Sequence, residues 1–94
     1  MSYPYYPDSL HIATVRELDE EVERARTKFP KNAFLLAALT EEVGELARAL
    51  LQRKTGTGKG SIKAEALQVA CVALRIYEEG DATFANLTDE QAQP

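Results

Sequence analysis

Apolar residues recur every three or four positions along most of this chain, a spacing that predicts helices rather than strands. Pro30 ends the first predicted helix, because proline has no backbone N–H. Its start can be capped by Asp8 or Ser9, or by Thr14 with Glu17 as a capping box if the helix begins later. The apolar stripe of this helix consists of Ile12, Val15, Leu18, Val22, Ala25 and Phe29.

A second helix is predicted from about residue 33 to about residue 54, with Asn32 as its N-cap. Its apolar stripe is Leu39, Val43, Leu46 and Leu50. The segment TGTGKGS follows and interrupts the helical pattern. It is not a Walker A loop, because Arg53 stands where that motif has its first glycine and Gly60 stands where it needs Ser or Thr. The segment therefore predicts a flexible connection between helices.

A third helix is predicted from Ser61, its N-cap, to about Glu79, with Gly80 as its C-terminal stop. Apolar side chains cover roughly 220° of its circumference, more than two neighbouring helices can bury. We therefore expect a homo-oligomer, a dimer or tetramer, in which small residues of this helix permit close approach. The residues concerned are Ala66, Ala70 and Ala73, and the one polar stripe of the helix is Glu65, Gln68, Arg75 and Glu79.

These elements predict an all-α fold, an antiparallel helical bundle of three main helices completed by oligomerisation. The 94 residues form one domain, 1–94, since the chain is too short for two. Residues 1–8 are expected to be an extended arm and residues 82–94 a short tail, in which Thr88 and Gln91 can cap a last helical turn.

Charge and composition narrow the function classes. The net charge of −4 argues against nucleic acid as a partner, and the longest apolar run, 33–39, is too short to cross a membrane. The first ten residues have no basic region followed by an apolar stretch, as a signal peptide would have. The only cysteine, Cys71, suits packing in a reducing compartment. Both observations predict a cytoplasmic protein. The stretch 46–64 contains five basic residues and no acid, which indicates an anionic ligand or a solvated loop.

The acidic residues in the middle of the second helix are the candidate chemistry. Glu42 and Glu45 lie three residues apart on one helical face, as do Glu65 and Gln68 on the third helix. A hairpin about the glycine segment would bring the two pairs together. Oxygen ligands without His or Cys suit Mg²⁺ or Mn²⁺. The alternative is that these are surface glutamates, with Glu45 paired to Arg48.

The motif EEVGE (41–45), followed by EALQ (65–68), resembles the EExxE…ExxD signature of MazG-like nucleotide pyrophosphohydrolases, an all-α superfamily. The similarity extends over roughly residues 28–81. The resemblance implies a Mg²⁺-dependent enzyme that hydrolyses a nucleoside triphosphate to monophosphate and pyrophosphate.

The resemblance also implies roles for individual residues. The metal ligands would be Glu42, Glu45, Glu65 and Gln68. Glu41 and Glu45 would be the catalytic acids, with Glu41 as an outer ligand or as the base that orients water. The triphosphate would be bound by Lys54, Lys59 and Lys63, with Arg48 and Arg53 as weaker candidates.

Gln68 departs from the family pattern, which has Asp there, and the site thereby loses one negative charge. Two alternatives to an enzyme follow: a nucleotide- or metal-binding module without turnover, and a helical oligomeric adaptor with solvated glutamates. Base and sugar preference is not readable from the sequence. Tyr77, Phe84 and Asn86 are candidates for the base pocket.

Overall fold

The computed structural model describes residues 10–85, which contain three α-helices and no strand. The helices are α1 (Ile12–Lys28), α2 (Leu35–Leu51) and α3 (Ile62–Glu79), and a 3₁₀ turn follows at Ala82–Phe84. The prediction of an all-α helical fold is confirmed. The arm at 1–8 and the turn predicted at Thr88–Gln91 lie outside the described residues.

Helix α3 is the central element, because both α1 and α2 pack against it. It turns its polar stripe inward, so that Glu65 and Arg75 are buried along with Cys71. Its outer side carries the small residues and one aromatic ring, all exposed: Ala66, Ala70, Ala73 and Tyr77. The face of α3 that the sequence marks as polar is therefore the one that meets the other helices.

Helix α2 shows a different inner face from the predicted one. Its buried residues are Leu35 and Ala49, whereas Val43 and Leu50 are about half exposed. The prediction that Val43 and Leu50 belong to the core-facing stripe is wrong. The helix is rotated so that Leu35, Glu42 and Ala49, seven residues apart, lie on its inner side, which brings Glu42 to α3.

The start of α2 was also predicted incorrectly. The helix begins at Leu35, after Phe34 with a left-handed φ of 60°, and Asn32 is not its N-cap. The Asn32 side chain instead donates from Nδ2 to the carbonyl of Glu79 at 2.7 Å. The Asn32 amide therefore joins the α1–α2 connection to the end of α3 and does not cap α2.

The first N–H groups of α2 are bound by residues that follow α3. Leu36 N–H donates to Asp81 Oδ2 at 2.8 Å, and Phe34 N–H donates to Thr83 Oγ1 at 2.7 Å. The Leu36 contact holds the pKa of Asp81 below its usual value. A carboxylate at a helix N-terminus satisfies donors that the helix itself cannot. The segment after α3 therefore caps α2 across a long sequence separation.

Helix α1 begins at Ile12, with His11 as an N-cap that makes no side-chain hydrogen bond. The later start, with a capping box of Thr14 and Glu17, is therefore wrong. Asp8 and Ser9 lie outside the described residues. The helix ends at Lys28, next to the predicted stop at Pro30.

The connection 52–61 joins α2 to α3 as predicted. Helix α2 ends at Leu51, three residues before the predicted end, in a reversal where Lys54 N–H donates to the Ala49 carbonyl and Arg53 N–H to the Leu50 carbonyl. Ser61 Oγ accepts from Ala64 N–H at 3.1 Å, which confirms the N-cap of α3. Gly80, with φ of 71°, ends α3 as predicted.

Four charged residues near the C-terminal ends of α1 and α3 form an ion-pair network. Arg75 is only 3% exposed, and its Nε and Nη2 donate to the two carboxylate oxygens of Glu79, both at 2.9 Å. Arg26 of α1 donates to Glu79 at 2.7 Å and to Glu78 at 2.6 Å. The hydrogen bonds from Arg75, followed by that from Arg26, lower the pKa of Glu79 to about 2. The network fixes α1 to the end of α3.

None of the helices in residues 10–85 is long and apolar enough to span a bilayer.

Replacing Arg53 by Gly should stabilise the protein. Arg53 has φ of 53°, a conformation that costs an L-residue with a Cβ about 1 kcal/mol and costs glycine almost nothing. We expect the melting temperature in calorimetry to rise by roughly 4–8 °C. Gly56→Ala is the control, since φ of 105° at Gly56 should make that substitution destabilising. An unchanged or lower melting temperature for Arg53→Gly would contradict this account.

Replacing Glu79 by Gln should destabilise the protein by about 3 kcal/mol at pH 7, because the buried Arg75 loses its counter-charge. Glu78→Gln, which removes only an exposed ion pair, should cost less than about 1 kcal/mol. The low pKa of Glu79 means that its contribution is complete above about pH 4.5 and is lost as the pH falls towards 2. Urea unfolding at pH 7 and pH 3 measures the free energy of unfolding of both variants and its dependence on pH. Equal losses of stability in Glu79→Gln and Glu78→Gln would refute the role of Glu79 as the counter-charge of Arg75.

Candidate metal centre

Three glutamates from α2 and α3 meet at the interface of these helices. Glu42 and Glu45 lie one turn apart on α2, and Glu65 lies in the first turn of α3. One carboxylate oxygen of each residue lies within 4.8 Å of the other two. The prediction that these carboxylates converge is confirmed. Gln68 lies one turn beyond Glu65 on the same side of α3.

The cluster is negatively charged and has no cationic partner among the residues that the structure describes. Glu42 Oε2 is buried without a hydrogen-bond partner, and Glu65 is only 9% exposed. Burial, followed by the charges of Glu45 and Glu65, raises the pKa of Glu42. The alternative ion pair of Glu45 with Arg48 is not formed within residues 10–85. The carboxylates thus repel one another when ionised, and Glu42 keeps a free oxygen atom.

The donor set suits a hard divalent cation. Two oxygen atoms bound to one Mg²⁺, at roughly 2.1 Å each, lie no more than about 4.2 Å apart, so carboxylate oxygens that lie within 4.8 Å of one another need only a small inward movement to share the ion. Mg²⁺ and Mn²⁺ prefer carboxylate and carbonyl oxygens over nitrogen or sulfur. The residues present therefore fit Mg²⁺ or Mn²⁺, and a cation would convert the repulsion among them into attraction.

Gln68 contacts helix α1. Its Nε2 donates to Glu21 Oε2 at 2.8 Å, and Glu21 Oε1 accepts from Arg24 Nε at 3.1 Å. These hydrogen bonds, that of Gln68 first, lower the pKa of Glu21. Sequence reasoning did not identify Glu21, which stands in an acidic run of α1 and 47 residues from its partner. The excess of acids in 17–23 was the only available signal.

A pocket of about 320 Å³ adjoins the cluster, with Glu42 and Gln68 in its wall. Its lining is mainly apolar and includes Phe29 and Phe34, while the predicted pocket residues Tyr77 and Phe84 do not line it. Asn86 lies outside the described residues. Tyr77 is 86% exposed on the outer side of α3. The pocket is therefore built at the junction of α1, α2 and α3 instead.

The other predicted site residues lie outside the glutamate cluster. Glu41 is exposed on α2, next to Glu42 in sequence. Lys54 and Lys59 are exposed in the connection, and Lys63 is exposed in the first turn of α3, two residues before Glu65. The weaker phosphate candidates, Arg48 and Arg53, are exposed too. Their exposure leaves the basic side chains accessible to an anion, and within residues 10–85 no ion pair joins them to the carboxylates.

Cys71 is buried under the same junction. Its thiol is 1% exposed, and burial raises its pKa, which keeps it protonated and unreactive. The interpretation of Cys71 as a packing residue agrees with this position.

Comparison with protein-family models, with curated proteins and with solved structures finds no match to this chain. The resemblance to MazG-like enzymes stays a prediction that rests on the two short motifs.

Replacing Glu42 by Gln should stabilise the metal-free protein and weaken its response to metal. The substitution removes a buried charge, and the new amide can donate to Glu45 or Glu65, a gain of about 1 kcal/mol. Because the pKa of Glu42 is raised, the wild-type protein loses stability as the pH rises through that pKa, and the variant should lack this loss.

Melting temperatures with EDTA and with Mn²⁺, measured from pH 4 to pH 8, check both parts of the Glu42 prediction. Glu20→Gln is the matched control, because Glu20 is exposed on α1, outside the cluster, and should show neither effect. A Glu42→Gln variant less stable than wild type in EDTA would show that the buried oxygen has a protein partner.

Proposed function

We propose that this protein is a Mg²⁺-dependent nucleoside triphosphate pyrophosphohydrolase that releases pyrophosphate and a nucleoside monophosphate. One observation carries the proposal: Glu42, Glu45 and Glu65 bring three carboxylate oxygens within 4.8 Å of one another, and no ion pair within residues 10–85 neutralises them. Phosphoryl transfer from a nucleotide depends on such a cation site, because the reacting phosphates are themselves anions.

In this proposal Glu42, Glu45 and Glu65 hold the metal. Mg²⁺ bound there would neutralise phosphate charge and favour ionisation of a water molecule. Glu41, exposed beside the cluster, would accept a hydrogen bond from the attacking water or bind the metal through a water, and Glu45 would share in orienting it. Lys54, Lys59 and Lys63 would bind phosphate oxygens from the side of the glycine connection.

The pocket beside Glu42 supports a nucleotide substrate. Its volume of about 320 Å³ is at the lower end of the range for small-molecule sites, and its lining combines apolar side chains with a few polar ones. A base could stack on Phe29 or Phe34 while the triphosphate reaches the glutamates. Every base can stack on an aromatic ring, so the pocket favours a nucleotide as substrate without selecting a particular base.

We further propose an antiparallel arrangement of α2 and α3 and a homo-oligomer. Hydrogen bonds join the end of α2 to the start of α3, at Lys54 and Ile62, and the start of α2 to the residues after α3. Oligomerisation is supported by large apolar side chains exposed on α2 and α3, among them Leu51 and Tyr77.

A binding module without turnover is the second candidate, and one contact favours it. The Gln68 amide nitrogen is held by Glu21, so the position supplies at most a neutral oxygen to the site. A metal held by fewer charges binds more weakly and stabilises the transferring phosphates less.

The test is a panel of ribo- and deoxynucleoside triphosphates with Mg²⁺ or Mn²⁺, in which monophosphate and pyrophosphate are measured separately. We expect equimolar release of both products from wild-type protein and a loss of at least about 100-fold in Glu45→Ala, because removing a metal ligand empties the site. Glu78→Ala, far along α3 from the cluster, is the matched control and should retain activity.

The outcomes separate the candidates. Release of inorganic phosphate instead of pyrophosphate would refute the proposed reaction. A metal-dependent rise in melting temperature without any product would establish the binding module. If the protein shows neither product release nor a metal-dependent rise in melting temperature, the helical adaptor is the remaining hypothesis.

A further inference from the structure

The polar stripe of α3 has a second carboxylate neighbour, on α1, that the glutamate cluster does not include. Glu21 is largely buried, with 18% of its side chain exposed, and it contacts two residues through different oxygens. Oε2 accepts from Gln68 Nε2 at 2.8 Å, and Oε1 accepts from the Arg24 guanidinium. The carboxylate is therefore held from the solvent side by Arg24 and is presented to α3 on its inner side.

This contact decides which way the Gln68 amide is turned. An ionised carboxylate can only accept hydrogen bonds, so the amide nitrogen of Gln68 must face Glu21. The amide oxygen then lies on the side away from Glu21, and it has no hydrogen-bond partner within residues 10–85. A glutamine that turned freely would lose rotational freedom when a cation fixed its oxygen, whereas this orientation is already set in the metal-free protein.

We infer that Glu21 is a positioning residue of the metal centre: it orients Gln68 so that the amide oxygen is available to the cation held by Glu42, Glu45 and Glu65. The inference rests on the proposed metal site. A ligand whose other polar atom is held by a second carboxylate is better oriented and more basic, and the loss of such a partner typically weakens metal binding 10–100-fold.

A double-mutant cycle on Mn²⁺ binding, measured by isothermal titration calorimetry and by electron paramagnetic resonance, tests this inference without reference to turnover. Glu21→Ala should weaken Mn²⁺ binding about 10-fold in the wild-type background. In the Gln68→Ala background the same substitution should change it less than about 2-fold, because Glu21 then has nothing to orient. Glu21→Gln should recover most of the affinity, since its amide oxygen can still accept from Gln68.

Glu20→Ala is the matched control, because it removes an exposed carboxylate next to Glu21 on α1. It should alter Mn²⁺ affinity less than about 2-fold at 0.15 M salt, where distant exposed charges are screened. Thermal unfolding in EDTA verifies that each variant is folded. If Glu21→Ala unfolds, Glu21→Gln replaces it, because this variant keeps the contact to α3. Glu21→Gln must then bind Mn²⁺ within about 3-fold of the wild-type affinity, and Gln68→Ala must bind Mn²⁺ more weakly than that.

Each contrary outcome identifies what has failed. Equal losses from Glu21→Ala in both backgrounds would mean a general charge effect and would overturn the positioning role. Unaltered affinity in Glu21→Ala, together with loss in Glu45→Ala, would overturn this inference alone and leave the metal site in place. An absence of Mn²⁺ binding to the wild-type protein would overturn the proposed function and this inference together.

Discussion

The inward-facing polar stripe of α3 is the constraint on which the other features depend. Burying a charge costs free energy unless an opposite charge lies beside it, and the two ends of this stripe differ in whether such a charge is present. At the C-terminal end the buried Arg75 is neutralised by Glu79, which Arg26 also contacts. At the N-terminal end Glu65 meets Glu42 and Glu45, and no ion pair neutralises these carboxylates in the part of the chain that the structure describes. The interface is thus neutralised at one end of the stripe and carries a cluster of carboxylates at the other.

The positions of the glutamates follow from contacts outside the cluster. Helix α2 is held at its start by Asp81 and Thr83, which follow α3, and at its end by the short connection to Ile62. Two attachments at opposite ends fix the rotation of α2 as well as its location. That rotation brings Glu42 inward at the expense of Val43, which becomes exposed. On α2 a carboxylate therefore occupies the inner side in place of an apolar side chain of the predicted stripe.

Such an arrangement is costly for a small domain. The apolar core within residues 10–85 is limited to a few buried side chains, and repulsion among the carboxylates opposes folding without a cation. A bound cation or a second subunit would each favour the folded state by mass action. The small apolar core within residues 10–85 and the unpartnered oxygen of Glu42 both lower the stability of the chain alone, and in the proposed function a cation and a second subunit would offset that cost.

By itself the sequence determined the helices and much of the local chemistry. Periodicity located three helices, Ser61 and Gly80 delimited α3, and the three-residue spacing of the glutamates placed each pair on one helical face, because these features depend on neighbours within a turn or two. Tertiary structure alone decided that Asn32 binds the end of α3, how α2 is rotated, and that Glu21 joins Gln68. Those contacts link residues about 47 apart, where helical periodicity carries no information and only the packing of whole helices sets which side chains meet.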